Sequence, residues 1–98
     1  MIYHVTTKKN WETALHNGSY ITASLATEGF IHNSTIEQVA GVLQRYYTGQ
    51  TDLVLLHINE EKLNAELKYE LAPSVNEMFP HIFGAINLEA VEVVEPIK

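Results

Sequence analysis

A continuous apolar run near the middle of the chain limits the folds that are open to it. Residues 52–58 read Asp-Leu-Val-Leu-Leu-His-Ile, and the four residues after the aspartate are all aliphatic. A strand with one face in water alternates apolar and polar side chains, whereas a strand covered on both faces stays apolar. The run therefore predicts a central strand with other elements packed on both of its sides.

The patterns before this run predict three strands and a helix. Residues 2–6 alternate and are β-branched or aromatic, which is typical of a strand. Thr7 is a suitable cap for a short helix over 8–17, and Gly18 is suited to end it. The next segments are expected to be a short edge strand at 20–22, a polar loop at 23–28 and a strand at 29–33.

Ser34 predicts the start of a second helix. Glu37 follows three residues later, which is the spacing of a capping box, in which the hydroxyl and the carboxylate bond early backbone N–H groups. Apolar residues then mark one face of a helix over 35–47, and Gly49 follows it. The positive end of the helix dipole would make this start an anion site.

The segments after the central run are mostly strand-like. A helical turn is expected at 59–63 and a loop at 71–78, and Pro96 is expected to stop the last strand. Strands are predicted at 66–70, 85–87 and 90–95, and residues 79–83 lead in to His81. Two early helices followed by strands predict a single α+β domain over residues 1–98, with a curved mixed or antiparallel sheet.

Composition excludes several classes of function. The net charge is −6, and the six basic residues are dispersed, so no stripe of Lys and Arg is available to bind nucleic acid. The absence of cysteine excludes disulfides and zinc–thiolate sites. No segment has the length of a membrane span, and the N-terminus lacks a secretory signal. We expect a cytoplasmic protein, monomeric or weakly dimeric, that binds neither nucleic acid nor membranes.

Three histidines are the main candidates for chemistry. His4, His32 and His81 each lie beside a strand-like stretch and are far apart in sequence. Imidazole titrates near neutral pH and both donates and accepts hydrogen bonds, so three such groups on rigid elements predict one pocket. The alternative is that they are three unrelated half-buried histidines, each satisfied by a backbone partner.

The blocks around these histidines resemble the bacterial family called domain of unknown function 952. The resemblance covers nearly the whole chain and is most specific in the blocks 28–35 and 79–84. This sequence has Asn33 where a cysteine is common in that family, and Phe83 where a tyrosine is expected. The family is similar in fold to the ADP-ribosyltransferase superfamily, including the RNA 2′-phosphotransferases, which implies a fold of that type.

The resemblance implies roles for residues of the first two strands. His4 and Thr6 would hold a ribose of NAD or a related nucleotide, and His32 and Ser34 would face the nicotinamide end or a phosphate. The superfamily often places a glutamate near the end of the core. In its approximate place this chain has His81, so His81, Glu77 or Glu70 must substitute, or the activity is absent.

Several further residues are candidates for substrate binding. Cleavage of an N-glycosidic bond needs a held ribose, an aromatic clamp and stabilisation of a developing cation. Glu70 could orient a hydroxyl, and Arg45, the only arginine, could grip a phosphate. Solvated surface positions are the alternative for both. The remaining candidates are Gly84 and the aromatic residues Phe30, Tyr46, Tyr47, Phe79 and Phe83. For most of these aromatic residues, a place in the core is the favoured alternative.

Three functions are consistent with these residues. The first is an ADP-ribosyltransferase-like enzyme that acts on NAD or a related ribonucleotide, with His4, His32, His81 and Glu70 as catalytic candidates. The second is a non-catalytic module that binds a small nucleotide-like molecule and lacks the usual glutamate. The third is a metal site of three histidines, but no His-x-His or His-x₃-His spacing supports it, and no metal is expected.

Overall fold

The computed structural model describes residues 1–98, with eight strands and three α-helices. The strands are β1 (Ile2–Thr7), β2 (Ser19–Tyr20), β3 (Ile31–His32), β4 (Leu53–Ile58), β5 (Leu67–Ala72), β6 (Glu77–Ile82), β7 (Ile86–Asn87) and β8 (Val91–Pro96). The helices are α1 (Lys8–Asn17), α2 (Ala23–Thr27) and α3 (Ile36–Tyr46), and 3-10 turns lie at Glu60–Lys62 and Leu88–Ala90. The α+β class is confirmed, and no helix has the length and apolar character needed to cross a membrane.

The strands form three antiparallel sheets, ordered β1-β4-β8, β2-β7 and β3-β6-β5. The predicted central position of β4 is confirmed, and both of its faces are covered. Val54, Leu56 and Ile58 join the main core. Leu53 and Leu55 lie on the opposite face of β4. They form a smaller cluster with partly buried side chains of α3 and of the C-terminal end of that helix. This burial on both faces explains the continuous apolar run.

Residues 31–34 connect two of the sheets. The N–H of Tyr3 donates to the carbonyl of Ser34 at 2.8 Å, and the N–H of Ser34 donates to the carbonyl of Tyr3 at 2.7 Å. On the other side, the N–H of Asn33 donates to the carbonyl of Pro80 at 3.0 Å. The segment therefore lies between β1 of one sheet and β6 of another.

Three predictions of local structure were wrong. The predicted loop at 23–28 contains α2, because the chain closes helical hydrogen bonds such as Glu28 N–H to the Ser24 carbonyl at 2.7 Å. The predicted loop at 71–78 is a hairpin, since β5 and β6 pair as far as Ala72 and Glu77. The predicted strand at 29–33 is reduced to the two residues of β3, because the segment turns from β6 towards β1 after His32.

The predicted capping role of Ser34 was also wrong. The helix begins one residue later, with Thr35 as its N-cap. The N–H of Thr35 donates to Oε1 of Gln38 at 3.0 Å, so Gln38 takes the part that was assigned to Glu37. The Nε2 of Gln38 also donates to the carbonyl of Met78 at 2.8 Å, which ties the start of α3 to the β5–β6 hairpin. Both backbone groups of Ser34 are used in pairing with Tyr3.

We expect Gln38→Ala to lower the free energy of unfolding by about 1 kcal/mol, because it removes a cap partner and the bond to the hairpin. Ser34→Ala removes no helix cap and is expected to cost clearly less. Urea denaturation of both variants and the wild type measures the difference. A larger loss of stability in Ser34→Ala than in Gln38→Ala would show that Ser34 is the cap.

Candidate functional site

A cleft of about 600 Å³ lies between α3 and the β5–β6 hairpin. This volume lies within the range of cavities that hold small organic ligands. Its floor comes from β1 and from the segment that contains β3. The lining residues are His4, Val5, Glu28, His32, Asn33, Ser34, Val42, Tyr46, Tyr47, Ala72, Ser74, Val75, Phe79 and His81. All three candidate histidines therefore line one cleft.

His81 is held by a carboxylate. Its Nδ1 lies 2.8 Å from Oε1 of Glu70, which is on the adjacent strand β5. A carboxylate only accepts, so Nδ1 carries the proton and donates it to Glu70. In the neutral ring, Nε2 is then the nitrogen with the free lone pair. A histidine oriented in this way can accept a proton at Nε2 while the carboxylate stabilises the resulting cation.

His32 is the direct cross-strand partner of His81, and the two ring centroids are 5.3 Å apart. Its Nε2 lies 2.9 Å from Oε2 of Glu28, and both side chains are about half exposed. Phe30 packs against both rings: it is stacked on His81 with a centroid distance of 4.0 Å and meets His32 edge-on at 4.9 Å. The cleft thus contains two adjacent imidazoles, each bonded to its own glutamate and braced by one phenyl ring.

His4 differs from these two because both of its ring nitrogens are already used inside the protein. Its Nδ1 donates to the carbonyl of His32 at 2.6 Å, and its Nε2 lies 2.8 Å from the hydroxyl of Tyr20. Burial lowers the pKa of His4 from 6.5 to about 4, so the ring is neutral at pH 7. His4 therefore has no free nitrogen to offer a ligand and acts as a buried support beneath His32.

His4 belongs to a buried chain of hydrogen bonds, and its neutral state sets the direction of the bond to Tyr20. Because Nδ1 holds the only ring proton, Nε2 must accept, and the phenolic proton of Tyr20 goes to it. The Tyr20 hydroxyl also lies within hydrogen-bond distance of Thr6, 2.8 Å from its Oγ1. Burial raises the pKa of Tyr20 to about 12, which keeps the phenol protonated. The chain runs from Thr6 through Tyr20 and His4 to the backbone of His32.

The remaining candidates divide into residues at the cleft and residues away from it. Ser34 and Phe79 line the cleft. Thr6 does not, because its hydroxyl is buried against Tyr20. Glu70 does not line the cleft, but it bonds His81, which does. Glu77 lies at the other end of β6, where its carboxylate accepts a hydrogen bond from Gln38 at 3.2 Å.

Four further candidates lie outside the lining. Phe30 and Phe83 form an aromatic pair with centroids 5.5 Å apart, and Phe30 supports both histidines. Arg45 is exposed, with its guanidinium 5.7 Å from the ring centre of Tyr46. A Cβ at Gly84 would come within 2.9 Å of Cβ of Ala65, so close packing explains this glycine.

The side chains offer no cluster suited to a metal ion. No group of three or more His, Asp or Glu side chains is arranged to hold a metal. His4 uses both of its nitrogens on protein groups, so it cannot join His32 and His81 as a third ligand. The arrangement is suited to proton transfer rather than to metal coordination.

Three residues of the site are not among the candidates that the sequence indicates. Tyr20 holds His4 from a strand 16 residues away, and Glu28 was treated as part of a loop although it bonds His32. Asn33 is buried in the cleft wall, and its Oδ1 has no hydrogen-bond partner. The only sequence signal for any of these contacts is the spacing of Glu28 and His32, which are four residues apart.

The lowered pKa of His4 predicts acid sensitivity. In the unfolded chain His4 takes up a proton near pH 6.5, whereas the folded protein resists protonation until about pH 4. Its contribution to stability is complete above pH 6.5, falls by about 1.4 kcal/mol per pH unit below that value, and levels off below pH 4.

Urea unfolding at pH 7 and pH 5 tests this expectation. The wild type should lose about 2 kcal/mol more between these values than His4→Gln, which has no titrating ring at this position. The other histidines contribute equally in both proteins. Equal losses in the two proteins would show that His4 does not cause the acid sensitivity.

Comparison with known proteins assigns the family. The family described as protein of unknown function (DUF952) matches residues 5–94. The crystal structure of protein CC0527 from Caulobacter crescentus is similar, with a TM-score of 0.89 and 28% identity over 99% of this chain and 85% of that one. The solution NMR structure of CC0527 gives a TM-score of 0.85 at the same identity, over 99% and 84% of the two chains. No curated protein matches. Since the match spans nearly the whole sequence, the protein belongs to the DUF952 family.

Proposed function

We propose that the protein is a small enzyme of the ADP-ribosyltransferase-like type that acts on NAD or a related ribonucleotide in this cleft. The observation that carries the proposal is the hydrogen bond between His81 and Glu70 at the cleft wall. A histidine whose Nδ1–H is held by a carboxylate is prepared to take a proton at Nε2. Its ligand would be a small nucleotide-like molecule, not a polynucleotide.

The proposed reaction breaks the bond between the ribose C1′ and a cationic ring nitrogen. The electron pair of this bond moves to the ring, which leaves as a neutral molecule. A water or an acceptor hydroxyl forms the new C1′–O bond, and its proton passes to Nε2 of His81. The imidazolium that forms is stabilised by the carboxylate of Glu70.

The walls of the cleft support this chemistry. Tyr46, Tyr47 and Phe79 present aromatic rings to the cavity. Such rings hold a flat heterocycle by stacking and exclude water from the reacting atoms. His32, held by Glu28, lies close enough to His81 to act on the same ligand. His4 contributes as a positioning residue, because it holds the backbone of His32 rather than the ligand.

One observation favours a second candidate, a binding module without catalysis. Both glutamates at the site are hydrogen-bonded to histidines, Glu28 to His32 and Glu70 to His81. A developing cation on the ribose then has no free carboxylate beside it. A protein of this kind would bind the nucleotide and release it unchanged.

Glu70→Gln tests the catalytic proposal, and Glu95→Gln is its matched control. Glu95 bonds Nε2 of His57 at 2.8 Å in the sheet that contains β4, and neither residue lines the cleft. We expect Glu70→Gln to lower the release of the free base from NAD by about 10²-fold, because the proton acceptor loses its oriented partner. Glu95→Gln should leave the rate unchanged. Chromatography of the reaction products measures both rates.

Thermal shift with NAD, ADP-ribose and nucleoside monophosphates separates binding from turnover, since a ligand of the native state raises the melting temperature. A shift without product formation in the wild type would favour the binding module. Turnover that is equally fast in Glu70→Gln would rule out the role given to His81 and Glu70. No shift and no product with any of these compounds would reject both functions.

A further inference from the structure

The strand β5 leaves one side of a sheet open. It is the end strand in the order β3-β6-β5, and its register with β6 runs without interruption from Leu67 to Ala72. An open strand edge presents unpaired N–H and C=O groups that can pair with another strand. The end strand β8 of the β1-β4-β8 sheet contains Glu92, Glu95 and Pro96, which discourage such pairing, whereas β5 contains no proline. The outer side of β5, called the β5 edge below, is therefore the better suited to bind a strand.

The backbone groups that point out of the β5 edge belong to Leu67, Tyr69 and Leu71. Tyr69 lies opposite Pro80, whose carbonyl accepts from the N–H of Asn33 at 3.0 Å on the far side of β6. In an antiparallel pair, two facing residues either bond each other or both turn away. Tyr69 therefore turns its N–H and C=O away from β6. Leu67 and Leu71 do the same, because the pattern repeats every second residue.

One face of the β5–β6 hairpin carries an exposed apolar patch next to this edge. Tyr69 is 45% exposed, Leu71 is 53% exposed, and Met78, which lies directly opposite Leu71, is 50% exposed. Leu67 lies on the same face but packs against the main core. The patch thus continues past the core of its own molecule towards the tip of the hairpin. Contiguous exposed apolar side chains of this kind mark surfaces that bind another protein.

Antiparallel pairing of β5 with β5 of a second copy has a register in which the charges match. The outward backbone groups meet only if Leu67, Tyr69 and Leu71 of the two copies face one another. When Tyr69 faces its own counterpart, Leu67 faces Leu71. In the same register Lys68 faces Glu70, and the two-fold symmetry repeats this pair on the other side. Opposite charges that face each other stabilise a strand pair.

The neighbouring registers are opposed by the same two side chains. A shift by one residue sets outward backbone groups against inward ones, so the ladder cannot form. A shift by two residues sets Lys68 against Lys68 in one direction and Glu70 against Glu70 in the other. Like charges that face each other directly are destabilising. The charges of β5 therefore select the register that is centred on Tyr69.

We propose that the β5 edge binds the β5 edge of a second copy of this chain, which joins two β3-β6-β5 sheets into one antiparallel sheet with its two-fold axis at Tyr69. Leu71 of each copy then lies beside Leu67 of the other, next to the main core of that copy. Lys68 of each copy lies beside Glu70 of the other, the carboxylate that holds His81. The interface thus reaches a residue of the candidate site, but it does not depend on the function proposed for the cleft.

Sedimentation equilibrium at concentrations up to about 1 mM measures the self-association. We expect a reversible dimer of the wild type. Lys68→Glu should lower the association constant at least about tenfold, because both facing charge pairs become repulsive. Lys9→Glu is the matched control, since it makes the same change in net charge at an exposed position of α1 and should associate like the wild type.

Two results of this measurement would overturn the proposal. One is a wild type that stays monomeric throughout, which would leave the β5 edge to an extended segment of a different protein. The other is a Lys68→Glu protein that associates as strongly as the wild type, which would place the dimer interface elsewhere.

Single-cysteine variants determine the register, because the chain has no cysteine of its own. At the proposed axis the Cα atoms of the two Tyr69 residues are about 5.5 Å apart, which is within the range of a disulfide. Oxidation of Tyr69→Cys should therefore give a covalent dimer on a non-reducing gel. Leu71→Cys is the matched control, since Leu71 is exposed to a similar degree but its counterpart lies on the order of 13 Å further along the partner strand. Equal cross-linking of the two variants, or of neither, would overturn the proposed pairing.

Discussion

The hydrogen bond from the His4 imidazole to the backbone of His32 is the contact on which the cleft depends. At this point β1 and the segment after β3 come together through the backbone pair of Tyr3 and Ser34. One side-chain bond next to that pair fixes the strand that carries His32. Because the imidazole must stay neutral and buried to keep both of its bonds, the geometry of the cleft is linked to the ionisation of a residue whose two ring nitrogens bond only the protein.

The same contact explains why the three histidines are not equivalent. His4 bonds the backbone carbonyl of His32, and the His32 side chain is half exposed at the cleft. His81 is almost fully buried and bonds a glutamate. Imidazole is suited to each of these tasks, so residue type alone cannot assign them. The division of roles is set by partners that are distant in sequence, such as Tyr20 for His4 and Glu70 for His81.

The elements that could be predicted from the sequence are those with a local cause. The burial of β4 on both faces follows from its uninterrupted apolar residues, and the ends of α1 follow from the cap at Thr7 and the left-handed Gly18. The first residue of α3 could not be predicted from local sequence signals. Ser34 with Glu37 and Thr35 with Gln38 both have capping-box spacing. The backbone of Ser34 pairs with Tyr3, which is far away in the sequence. Only this long-range contact shows that Thr35, and not Ser34, is the cap.

The direct pairing of His32 with His81 makes the site sensitive to changes in chain length. The strand β3 is only two residues long, so its alignment with β6 depends on very few ladder bonds. A slip of one residue would turn the His32 ring to the opposite face of the sheet while leaving most of the core in place. Insertions or deletions in the connection between α2 and β3 could therefore separate the two imidazoles in a protein that still folds. Homologues that differ in length at this connection need not share the same chemistry.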